Sequence, residues 1–149
     1  MKKPQIFVDA DACPVKDEIV RVADRHGATV HFVSNARMRL PVGLDVRRVI
    51  VSDGPDAADD WIAENITERD IAITNDIPLA ERCLKVGAQA VGATGKPFTA
   101  DNIGMGMAMR SLSRDLREMG EISGGGPMFS KKDRSRFLEA LELAVRRAG

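Results

Sequence analysis

The sequence predicts an α/β protein with a mostly parallel central sheet of about five strands and helices on both faces. Three observations carry this. Short apolar runs alternate with helix-spaced stretches of about ten residues. Glycines or dense turn signals close the segments. Three of the apolar runs lead into aspartates.

Gln5 to Asp9 is a short apolar run ending in acid and reads as a buried first strand. Pro14 suits the first turn of a helix, where its missing N–H is harmless. Val15, Ile19, Val22, Ala23 and His26 follow at helical spacing, and Gly27 fits the C-cap. Thr29 to Ser34 and Val46 to Val51 read as the second and third strands, separated by a basic loop or short irregular helix from Asn35 to Leu40. Ser52-Asp-Gly-Pro-Asp56 is a dense turn signal. A helix is expected from Ala57 to Asn65, a fourth strand over Asp70 to Thr74, and a helix from Ile77 to Val86 closed by Gly87. A short fifth strand is expected at Ala90 to Gly92. Beyond it the chain turns glycine-rich. A helix is expected at Met105 to Met119, with Met105, Met107 and Met109 filling core gaps, then a flexible connection over Gly120 to Pro127. The clearest helix runs from Ser130 to Arg147, where Ser130 and Asp133 form a capping-box-like start and Phe137, Leu141, Ala144 and Val145 an apolar stripe.

The 149 residues suit one domain spanning 1–149, with the glycine-rich segment and final helix at 93–149 packed on it. Aromatic residues are only 4%, with one Trp and no Tyr, so the core is expected to be aliphatic. Nothing at the start resembles a signal peptide, and no apolar run approaches membrane-spanning length. The expected location is the cytoplasm, with Cys13 and Cys83 reduced. Two cysteines outside zinc-type spacing and two histidines do not make a structural zinc site.

Twenty-two basic residues balance twenty-two acidic ones, so bulk charge does not mark a nucleic-acid binder. The distribution is uneven. Asp53 to Asp76 holds eight acids against one base, Arg69, while Arg110 to the end holds nine bases against six acids. An acidic pocket beside a basic surface suits a metal-dependent enzyme acting on phosphates.

The aspartates carry the functional signal. The first strand runs into Asp9 and Asp11, the third into Asp53, Asp56 and Asp59, and the fourth into Asp76. Ligands of open α/β sheets bind outside the carboxyl ends of the strands, near the topological switch point. Carboxylates gathered there repel one another, and a divalent cation removes the conflict. Hard oxygen donors without Cys or His suit Mg²⁺ or Mn²⁺. Asp56 and Asp76 also stand where helix caps are expected.

Val8-Asp-Ala-Asp-Ala-Cys-Pro14, Asp56-Ala-Ala-Asp59 followed by Ile62, Ile73-Thr-Asn-Asp-Ile-Pro78, and Gly125-Gly-Pro127 with Ser130 and Asp133 resemble the YaiI/YqxD family of bacterial proteins across nearly the whole chain. That family is grouped with PIN-like domains, many of them Mg²⁺- or Mn²⁺-dependent ribonucleases. The resemblance implies a three-layer PIN-like fold with Asp9, Asp59 (or Asp56) and Asp76 as metal-holding acids. Asp11 is an extra acid of this pattern. The glycine-rich tail and final helix depart from ordinary PIN domains.

The expected activity is therefore metal-dependent phosphodiester hydrolysis, with RNA or another phosphodiester as substrate. Asp11 and Asp56 would complete the pocket or position water. Ser34, Asn35, Arg37 and Arg39 after the second strand are candidate phosphate contacts, set against a solvated loop. Lys131 and Arg134 open the last helix, with Lys132 and Arg136, where basic residues run against the helix dipole and suggest an anion contact. Cys13 is weighed as a reactive thiol or a small packed residue, and Cys83 as core. Two other readings stand beside this one. A haloacid-dehalogenase-type phosphatase also begins with Asp-x-Asp after a first strand but needs a downstream catalytic lysine. A non-catalytic nucleic-acid-binding protein would use the basic tail.

Overall fold

A computed structural model describes residues 3–10, 13–52, 54, 56–99, 103 and 130–148. Five strands, β1 (Gln5–Asp9), β2 (Thr29–Ser34), β3 (Val46–Ile50), β4 (Ile71–Ile73) and β5 (Gln89–Val91), form one sheet in the order β3-β2-β1-β4-β5. Every pairing is parallel. The described helices are α1 (Lys16–His26), α2 (Ala57–Asn65), α3 (Ile77–Lys85) and α4 (Lys131–Ala148). The expected strands and helices recur within one or two residues of their bounds. Asp11 and Asp53 lie outside the described residues, as do the expected helix at Met105 to Met119 and the connection at Gly120 to Pro127.

Side-chain alternation builds the three layers. Ile6 and Val8 of β1 face α1 and α4 together with Val30, Phe32, Ile71 and Ile73. Phe7 faces α2 and α3 with Val33, Ala72 and Ala90. A parallel sheet covered on both faces needs such apolar runs, and the largest buried side chains are indeed mostly aliphatic.

Local chemistry ends the helices where the sequence suggests. Gly27 adopts φ 67°, the left-handed cap that closes α1. Ser130 and Asp133 bond reciprocally: the Ser130 N–H donates to Asp133 Oδ2 at 3.0 Å and the Asp133 N–H to Ser130 Oγ at 3.2 Å. α4 docks closely. A Cβ on Gly95 would stand 2.5 Å from the carbonyl of Arg136, so only glycine lets this turn touch the helix backbone. Gln89 Nε2 donates to the Ala144 carbonyl at 2.8 Å, joining β5 to the same helix.

Candidate functional site

The order of the strands places a switch point between β1 and β4, where the chain leaves the sheet in opposite directions. Val8 pairs with Ile73, so the next residues, Asp9 and Thr74, stand side by side at the carboxyl edge. The buried Thr74 hydroxyl donates to Asp9 Oδ2 at 3.3 Å and accepts the Asp76 N–H at 3.0 Å. One hydroxyl therefore ties the first-strand acid to the turn carrying Asp76.

Asp76 is also the N-cap of α3, where its Oδ1 accepts the Leu79 N–H at 3.0 Å. Asn75 Oδ1 accepts the Ala93 N–H at 3.0 Å and fastens the turn to the end of β5. Asp59 enters from the first turn of α2, half-buried. Burial first, and then Asp76, Asp9 and Asp56, push its carboxyl up to about 6, with Arg82 opposing. Asp59 thus feels acids from both neighbouring strands, the convergence that the strand endings suggest. Asp56 is exposed at the N-cap position of α2 and makes no side-chain cap bond.

The other acids of that stretch separate. Asp60 pairs with Arg82 on α3, Oδ1 to Nη1 2.8 Å. Asp70 is buried at the opposite end of the sheet. Its Oδ1 accepts the Gln5 N–H at 3.0 Å, and its Oδ2 accepts the Thr67 N–H and hydroxyl, each at 2.9 Å. Only the three residues of β4 separate Asp70 from the Thr74 turn, yet an extended strand carries the two acids to opposite edges.

Among the described residues, no group of three His, Cys, Asp or Glu side chains is arranged as a metal cage. The donor chemistry still fits Mg²⁺ or Mn²⁺, because Mg²⁺ keeps several waters and takes only one or two carboxylates. The Asp59 carboxyl is raised by burial first and then by Asp76, Asp9 and Asp56, and a cation would offset the repulsion among these acids.

The candidate phosphate contacts divide. Ser34 is buried, its hydroxyl donating to the Ala36 carbonyl at 2.6 Å, and it shapes the turn after β2. Asn35, Arg37 and Lys131 are exposed. Arg134 Nη1 reaches Glu18 Oε1 at 2.9 Å and the Pro14 carbonyl at 3.1 Å, joining α4 to the start of α1. Cys13 is buried, and burial pushes its thiol up, against a reactive thiolate. It lines a small recess with Asp9, Thr74 and Asn75. A roomier recess of about 530 Å³ lies between β5 and α4, lined by Phe98, Ala140 and Leu143 and without the site's acids.

Sequence reasoning assigned no role to Thr74 or Asn75. The signal was present, since a hydroxyl and an amide two and one residues before a cap aspartate are typical turn formers.

A sequence model of the uncharacterised YaiI/YqxD family matches residues 7–147. A UPF0178 protein of Parvibaculum lavamentivorans is 63% identical over 142 residues, 95% of this chain and 93% of the relative. A UPF0178 protein of Rhodospirillum rubrum is 61% identical over 142 residues, 95% of either chain. One from Sphingopyxis alaskensis is 57% identical over 146 residues, 97% of this chain and 95% of the relative. No solved structure matches the chain.

Proposed function

From the premise that this chain belongs to the YaiI/YqxD family, we propose that it is a PIN-like, Mg²⁺- or Mn²⁺-dependent phosphodiesterase acting on RNA. The observation that carries this reading is the Thr74 hydroxyl tying Asp9 to the Asp76 turn at the switch point between β1 and β4, with Asp59 near enough for both acids to raise its carboxyl.

Asp9, Asp59 and Asp76 would hold a divalent cation, directly or through water, and it would supply charge stabilisation to a phosphodiester and make a nearby water more acidic. Asp56 adds a further negative charge beside Asp59. Thr74 fixes the orientation of Asp9, and the α3 cap fixes Asp76, so the acids stay in place despite their mutual repulsion. Oxygen donors on rigid strand ends are what a hard cation requires.

The test is calorimetric titration with Mn²⁺ and Mg²⁺ of the wild type and of Asp9→Asn/Asp76→Asn, followed by assay on single-stranded RNA. Saturable binding lost in the variant, together with metal-dependent cleavage, supports the reading. A wild type that neither binds metal nor cleaves in its presence overturns it.

A further inference from the structure

Beside the acids lies a second recess, and the same residue, Cys13, lines both. This groove measures about 410 Å³ and runs between the start of α1 and the loop after β2. Cys13, Lys16, Asp17, Arg39, Leu40 and Pro41 line it.

The loop owes its shape to alternation. Met38 and Leu40 pack against the core shared by α1 and α4, while Arg39 between them and Arg37 before them remain exposed. The alternation leaves both arginines facing outward, Arg39 in the groove wall and Arg37 just beyond it. The loop is also held at its edges: the Leu44 N–H donates to Asp24 Oδ1 at 2.9 Å, and Arg48 Nη2 to the Met38 carbonyl at 3.0 Å.

The charges of the groove are largely available. Among the described residues, Arg37 and Arg39 make no hydrogen bond or ion pair. Lys16 Nζ donates to the Cys13 carbonyl at 2.8 Å, which occupies one of its three N–H groups and leaves two. Asp17, exposed in the first turn of α1, is the one opposing charge among the described lining residues.

We propose that this groove seats the phosphate backbone of a single-stranded polynucleotide, with Lys16 and Arg39 on the phosphate that flanks the bond held at Asp9 and Arg37 farther along the strand. The assignment rests on the phosphodiesterase reading above and names its substrate class. Several aspartates at one sheet edge repel a polyanion, so a substrate longer than one phosphodiester needs cations next to them. The backbone is the part recognised, because guanidinium and ammonium groups line the groove without an aromatic side chain for base stacking. A single strand can bend from the groove around Cys13 to the rim of the acid recess, which itself has room for no more than about one water. A duplex, stiff over about 150 base pairs, cannot follow that bend.

Fluorescence anisotropy with a labelled single-stranded RNA, in EDTA so that no cleavage intervenes, tests the groove. The double variant Arg37→Ala/Arg39→Ala should bind about tenfold more weakly or worse, and its salt slope should fall by about 0.7 for each cation removed. Lys16→Ala, judged on its own, should also weaken binding. Lys85→Ala, which removes a charge at the far end of α3, should keep the wild-type affinity. Equal affinity for the wild type and the groove variants, no binding by the wild type, or equal binding of duplex and single strand overturns the proposal. Loss of binding in the groove variants by a wild type that cleaves nothing with either metal keeps the groove and removes the phosphodiesterase reading. Metal-dependent cleavage with unchanged affinity in the groove variants does the reverse.

Discussion

Thr74 and Asp9 are joined across neighbouring parallel strands, the threonine hydroxyl donating to the aspartate carboxylate at 3.3 Å while it accepts the Asp76 N–H. Thr74→Val keeps the shape and removes both bonds, leaving a buried N–H without its acceptor. The expected cost is about 1–2 kcal/mol of stability in denaturant unfolding. Misplacement of Asp9 should also lower metal-dependent cleavage on the order of tenfold to a hundredfold. Thr74→Ser should restore both. A valine variant with wild-type activity would show that the hydroxyl does not position the acid.

Asp76 has two separable roles. Asparagine caps helices as well as aspartate does, so Asp76→Asn should retain the bond to the Leu79 N–H and most of the stability while losing the negative charge. Metal affinity should fall and the melting temperature of the metal-free protein stay nearly constant. Asp76→Ala should lose the cap as well, about 1 kcal/mol. Equal metal affinity in wild type and Asp76→Asn would confine Asp76 to capping.

Asp59 should make stability depend on pH. Its carboxyl lies at about 6 against an ordinary 3.8, mainly through burial and then through Asp76, Asp9 and Asp56. The folded protein thus holds this proton more tightly than the unfolded chain. Its contribution favours folding below the ordinary value, declines as pH rises towards about 6, and stays low above that. For a partly exposed carboxyl, screening reduces the effect to the order of 1 kcal/mol. Asp59→Asn should raise the metal-free melting temperature at neutral pH and flatten this slope. Melting curves of the variant that parallel the wild type across the window would refute the coupling.

Asp70 should matter for folding and leave metal binding alone. Asp70→Ala orphans the Gln5 and Thr67 N–H groups at the foot of the sheet, at an expected cost of about 2–4 kcal/mol. Metal affinity measured below the unfolding transition should be unchanged. A large loss of affinity in a folded Asp70 variant would contradict the separation of the two edges.

Gly95→Ala should loosen α4. Gly95 has φ 87°, and a Cβ there would collide with the Arg136 backbone. Left-handed strain and overpacking together suggest a loss on the order of 3 kcal/mol, read by chemical denaturation. Full stability in this variant would mean that the helix shifts to accept the methyl group.

The sequence by itself determined the order of strands and helices, the capping of α1 and α4, and the two-sided burial of the sheet. These follow from local rules: apolar periodicity, left-handed glycine and the reach of Ser130 and Asp133 to neighbouring N–H groups. The aspartates at the strand ends were legible for the same reason, since the apolar runs lead into them directly, as at Asp9, or through a short turn, as at Asp76. Which acids meet was decided only by the tertiary structure. The sequence sets Asp70 at the start of the fourth strand and Asp76 beyond its end, and the all-parallel sheet carries the first to the foot and the second to the edge where β1 ends. The Thr74–Asp9 bond and the groove linking Arg39 to Lys16 join residues far apart in the chain. Such pairings depend on the β1–β4 register and on how the loop folds over α1, and no local pattern encodes either.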